Sequence, residues 1–108
     1  MGVYTIHVVG ESFENRQDEI RLCGAGDTVQ LKREPDNTYD DLAVNVLSSS
    51  GRSIGYIGRD NNEFIARIID RGGNISATIE RIIGAEGDKR DLGVVLEVCT
   101  GADANRGS

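Results

Sequence analysis

Tryptophan is absent from this chain of 108 residues, and proline, methionine and histidine occur once each. A lone histidine, His7, gives no pair around which a His-metal, Ser-His-Asp or Cys-His site could be assembled, so it reads as structural. One proline, with 38% hydrophobic and 28% charged residues, is too apolar a balance for a disordered chain. No apolar run approaches the ~20 residues of a spanning helix, which excludes a helical membrane protein. The opening MGVYTIHVVG has neither the basic start nor the long apolar stretch of a secretory signal, so the mature chain is expected to begin near Met1. Gly2 does not make a myristoylation site, because Ile6 stands where Ser or Thr is needed.

Cysteine is scarce too. Cys23 and Cys99 belong to no CxxC pair and are expected to be buried free thiols, which fits a reducing cytoplasm, nucleoid or nucleus. Basic charge is the next shortage: 12 basic residues face 18 acidic ones, for a net charge of −6. That balance disfavours sequence-blind adhesion to polyanions, so any nucleic-acid function needs a local basic pocket. The basic set is nonetheless almost all arginine, with Lys32 and Lys89 the two lysines, and arginine suits bidentate phosphate contact and base stacking.

What is present is mostly alternation. Val3 to Val9, Thr28 to Arg33, Ala43 to Leu47 and Ile54 to Ile57 read as strands, with Ser48-Ser49-Ser50-Gly51-Arg52 as a hairpin loop between the last two. The β-branched runs 74–83 and 92–98, split by Gly84-Ala85-Glu86-Gly87-Asp88, predict a second antiparallel hairpin. Asp60 with Glu63 three positions on forms a capping box ahead of Phe64, Ile65, Ile68 and Ile69 at helical spacing, predicting a helix over 60–71. Glu63 and Arg67 can pair on its outer face, and Gly72-Gly73 supplies the left-handed end. Six strands, short turns and one main helix predict a mainly β fold: a small antiparallel barrel with the helix packed across an open end. One domain over 1–100 and a disordered tail over 101–108 complete the organisation.

The most informative stretch is Leu31-Lys32-Arg33-Glu34-Pro35-Asp36-Asn37-Thr38-Tyr39-Asp40-Asp41-Leu42-Ala43-Val44-Asn45-Val46. Pro35-Asp36-Asn37 is turn chemistry between two strands, and it delivers an aromatic and a carboxylate to the mouth of the second. Together with Val9-Gly10-Glu11-Ser12-Phe13 and Gly55-Tyr56-Ile57-Gly58-Arg59, this stretch resembles the HIRAN domain family over roughly residues 4–98. The resemblance implies an OB-like barrel and a binding function, which in fork-remodelling helicase-like members is capture of the 3′-hydroxyl end of single-stranded DNA. It implies that Tyr39 and Asp40 contact the terminal nucleotide, that Phe13 stacks on a base, and that Tyr56 and Arg59 face the DNA backbone. Ser12, Thr38 and Tyr56 depart from the helicase-linked pattern, which has Arg, Pro and His at those places, and the missing Arg loosens the expected phosphate grip.

Elementary chemistry agrees in kind. An ionised Asp40 can only accept, so it could take a hydrogen bond from a ribose 3′-hydroxyl and would repel a terminal phosphate. A base stacks on an aromatic whatever its identity, with ~1–3 kcal/mol per base. Other roles for these residues stay open: Tyr39 could plug the barrel end, Asp36, Asp40 and Asp41 could be turn acids or, without the Gly and Glu of an EF-hand, calcium ligands, and Arg67 and Arg71 could be a solvated helix face. The expectation is therefore a non-catalytic module for single-stranded DNA 3′ ends in repair or fork processing, without cofactor or metal, working beside a helicase or nuclease. The alternative is a protein-interaction or regulatory domain of the same fold, which the net charge of −6 favours.

Overall fold

The computed structural model describes residues 2–11, 15–84 and 92–101. Phe13, most of the loop expected over 84–88, and the tail from 102 onward lie outside the described residues. In chain order the elements are β1 (Gly2–Val9), α1 (Arg16–Ile20), β2 (Thr28–Arg33), β3 (Val44–Leu47), β4 (Ser53–Ile57), α2 (Arg59–Asp70), β5 (Ile75–Ile83) and β6 (Gly93–Thr100). The strands close into a barrel in the order β1-β4-β3-β2-β5-β6, with every pairing antiparallel. The six-stranded barrel expected from the alternating runs is thus present, and both hairpins pair as their sequences predict.

The interior is aliphatic. Ile6, Val8, Val29, Val44, Val46, Ile54, Ile57, Ala77, Ile79, Val94, Leu96 and Val98 point into one core, sealed by Ile20 from α1 and Ile65 and Ala66 from α2. Branched chains pack well on pleated strands and leave the aromatics at the periphery: Tyr4 meets Phe64 with ring centroids 5.0 Å apart, and Tyr39 stands in solvent. Alternation in β1 starts only at Ile6; Val3, Tyr4 and Thr5 are all exposed, since the first part of this strand runs past the core. Where β1 crosses β4 the backbones approach closely. Gly55 has φ 143°, and a Cβ there would run into Val8 Cγ1 and lie 2.6 Å from the Val9 carbonyl oxygen. Only glycine fits.

Three expectations need correction. First, the helix over 60–71 exists as α2, but Asp60 is not its cap: Gly58, in extended conformation, is the N-cap, with no side-chain capping bond. The chain leaves β4 at Ile57 and turns straight into helix at Gly58, whose carbonyl accepts from Asn61 and Asn62, so Asp60 already sits in the first turn. Glu63 pairs with Arg67 at 3.1 Å, as expected. At the other end Gly72, with φ 74°, and Gly73 donate to Ile69 and Ile68 carbonyls in a Schellman closure. Second, α1 was not foreseen. It spans five residues, too few to display a period, and its burial rests on Glu19 and Ile20. Third, Cys23 and Cys99 are half-buried, not buried. Burial, then the carboxylates of Glu19 and Asp27, push the Cys23 thiol up from its ordinary value. His7 is exposed on β1.

Candidate nucleic-acid interface

Between β2 and β3 the chain builds a stiff loop from its own side chains. The Asn37 backbone N–H donates to the Glu34 carbonyl at 3.1 Å, closing the turn that Pro35 initiates. The Asn37 side-chain oxygen then accepts the backbone N–H groups of Tyr39, at 2.9 Å, and Asp40, at 3.1 Å. Asp40 Oδ1 in turn accepts the Leu42 N–H at 2.9 Å. Across the base of the loop the Arg33 guanidinium donates to the carbonyls of Ala43 at 2.8 Å and Asp41 at 2.9 Å, and pairs with Asp70 on α2 at 2.9 Å. With its backbone so constrained, the loop holds the Tyr39 side chain 88% exposed. Tyr39 therefore does not plug the barrel end. The ring therefore presents its stacking face to solvent from a constrained loop.

Beside it the acid is held ionised. The Leu42 N–H and the Asn62 amide, at 2.7 Å from Oδ2, lower the Asp40 pKa from its ordinary value against the opposing effect of burial, and the charges of Arg59 and Arg33 add to the lowering. Arg59 Nε lies 3.6 Å from Oδ2, and its Nη2 reaches the Tyr39 carbonyl at 3.3 Å. Four of the five residues singled out in the sequence, Tyr39, Asp40, Tyr56 and Arg59, line one groove of about 630 Å³ with Val9, Arg16 and Asn62. Its neighbour, about 570 Å³, shares Asn37, Tyr39, Asp40, Arg59 and Asn62 with it and is also lined by Asp41, Leu42 and Glu63. Phe13, the fifth, lies outside the described residues. Among the described residues no cluster of acids, histidines and cysteines could hold a metal.

Sequence reasoning missed the supports of this groove. Glu34 is its hub: Oε1 accepts the Tyr56 hydroxyl at 2.6 Å and the Asn37 amide at 3.1 Å, while Oε2 accepts the Asn45 amide at 3.0 Å. Burial raises the Glu34 pKa, but the hydrogen bonds from Tyr56, Asn37 and Asn45 outweigh it, so the carboxyl lies below its ordinary value. The Tyr56 hydroxyl is thus turned toward Glu34, and its ring carries Arg16, whose guanidinium carbon sits 5.3 Å from the ring centroid. Asn62, buried in the first turn of α2, was legible in principle: it falls three positions before Ile65 on the buried face, a polar residue where an apolar one would pack. For Arg16 no local signal existed.

A small closed β-barrel carrying a solvated aromatic, an ionised carboxylate and two arginines in one groove defines a binding module. Comparison with known families makes it specific: the HIRAN domain matches residues 1–98, and the chain belongs to that family. HIRAN domains are known in general as DNA-binding modules and are generally non-catalytic. The crystal structure of a protein from Lactobacillus plantarum is similar, with 27% identity and a TM-score of 0.70 over 90% of this chain and 98% of that one. The crystal structure of the HIRAN domain of human HLTF shares the fold, with 20% identity and a TM-score of 0.64 over 97% of this chain and 81% of that one. No protein with a curated description matches the chain. No helix among the described residues is long and apolar enough to cross a membrane.

Proposed function

We propose that this HIRAN domain is a non-catalytic module that binds the 3′-hydroxyl end of single-stranded DNA, in repair or replication-fork processing, beside a helicase or nuclease. The observation that supports it most is the pairing of an 88% exposed Tyr39 with an adjacent Asp40 kept ionised by Leu42, Asn62 and Arg59. The ring offers a stacking face to a terminal base of any kind. A carboxylate has about four acceptor sites, and the Leu42 and Asn62 donors leave capacity for the 3′-hydroxyl of the same nucleotide. A 3′-phosphate removes that donor and brings negative charge against the acid. The cytoplasm, or the nucleus of a eukaryotic cell, is the matching place of action.

The test is fluorescence anisotropy with one short strand ending in a 3′-hydroxyl, a 3′-phosphate or a 5′-phosphate. The 3′-phosphate should weaken binding about tenfold or more, and the 5′-phosphate should change little. Asp40→Ala should erase most of that preference, whereas Tyr39→Ala should weaken all three strands alike. Equal affinity for the three ends rejects 3′-end capture. No binding at low salt favours the protein-interaction reading, for which the net charge of −6 is the supporting feature.

A further inference from the structure

Among the described residues Arg16 has no counterion. Of the two half-buried arginines among the described residues, Arg33 is neutralised by Asp70, while Arg16 pairs with no carboxylate among them. Its side chain is nevertheless fixed: Nε donates to Ser53 Oγ at 3.2 Å, Nη1 to the Gly10 carbonyl at 2.8 Å, and the guanidinium lies over the Tyr56 ring. Neutral acceptors and a ring orient the charge but do not cancel it, and Nη2 has no hydrogen-bond acceptor among the described residues. A partly desolvated guanidinium gains most from a doubly oxygenated anion, which its planar fork fits. Arg16 also lines the same groove as Tyr39, Asp40 and Arg59.

We propose that Arg16 holds a backbone phosphodiester of the strand whose terminal nucleotide sits on Tyr39 and Asp40. The inference rests on the DNA-end reading and adds a second anchoring point to it, from α1 and not from the β2–β3 loop. Arg59 stands against Asp40 and helps to keep it ionised; Arg16 has no such duty. Bound DNA would thus run from the Tyr39 loop across the Tyr56 ring to Arg16, and the protein would read one phosphate there as well as the end.

The experiment is the salt dependence of binding to a short 3′-hydroxyl strand, for the parent protein, Arg16→Gln and Arg16→Lys. One phosphate contact on a single strand contributes about −0.7 to the slope of log K against log salt. Arg16→Gln should make the slope shallower by about that amount and weaken binding at low salt, while Arg16→Lys, which keeps the charge, should hold the parent slope. Both should keep the preference for a 3′-hydroxyl over a 3′-phosphate, which tests the DNA-end reading separately. A complementary measurement pairs the parent with the variant: scanning one uncharged methylphosphonate linkage along the strand should find a position that flattens the parent slope by the same amount and leaves the Arg16→Gln slope unchanged. A parent slope in Arg16→Gln, or no such position in the scan, overturns the proposal.

Discussion

Asp40 and Glu34 divide the work of the groove: one lines it, the other holds the scaffold that positions the first. Glu34 accepts from Tyr56, Asn37 and Asn45 together, and Asn37 then fixes the amides of Tyr39 and Asp40. Replacing Glu34 by Gln sets an amide N–H₂ against at least one of the three donors that point at the carboxylate, and should cost about 1–3 kcal/mol at neutral pH, read by denaturant unfolding. The pH dependence has a definite sign. Folded-state pKa values of Glu34, Glu19 and Asp40 are all lowered, so their stabilisation is complete above the ordinary carboxylate range near ~4 and is lost as pH falls through the lowered folded values. Glu34→Gln should therefore be less stable than the parent at pH 7 and approach it in acid; a constant difference across pH would contradict this. At this scale the sequence was partly legible. Tyr39, Asp40, Tyr56 and Arg59 stand within recognisable local runs, whereas Asn62 reaches Asp40 from 22 residues away and Arg16 reaches Ser53 from 37, encounters that only the closed barrel produces.

Among the elements, those with a long period could be read directly, and those set by a crossing or a cap could not. β2 occupies Thr28–Arg33 as expected, and α2 ends at the glycine pair as its sequence predicts. The start of α2 moved to Gly58 because the β4 exit, not the Asp60 side chain, decides where helical dihedrals begin. α1 is held by tertiary contacts instead of periodicity: Ile20 is wholly buried, and Glu19 accepts the hydroxyls of Ser48 at 2.6 Å and Ser50 at 2.7 Å in the β3–β4 hairpin. Those two hydrogen bonds lower the Glu19 pKa against its burial, with Arg52 adding to the lowering. The glycines separate two kinds of constraint. Gly72 has φ 74° with open space around it, so Gly72→Ala should cost about 1–2 kcal/mol from backbone strain alone. Gly55 combines φ 143° with a collision against Val8 and the Val9 carbonyl, so Gly55→Ala should cost about 2–4 kcal/mol and loosen the β1–β4 seam that carries Tyr56. Thermal unfolding of the two variants ranks them; a Gly55→Ala loss no larger than that of Gly72→Ala would disprove the close-approach argument.

For the whole molecule, the aliphatic core and the acidic surface act in the same direction. Because the interior is filled by Ile, Val and Leu, Tyr39 and Tyr56 are left to the groove, and because the net charge is −6, the proposed hold on a polyanion depends on a local site, the groove where Arg16 and Arg59 meet them. Beyond the groove a longer strand meets a molecule of net charge −6. Affinity should thus belong to the end of the strand and not to its length. With two groove arginines and few phosphates engaged, the slope of log K against log salt should fall at roughly −1 to −3. Measured per 3′ end, strands of about six and about thirty nucleotides should bind within about threefold of each other at the same salt, since the additional phosphates meet a molecule of net charge −6. Circularising the longer strand, which removes the end but keeps every phosphate, should abolish most binding. Affinity that climbs in proportion to length, or a circle that binds like the linear strand, would show that the acidic face tolerates DNA and that the groove is a track along the backbone instead of a cap on its terminus.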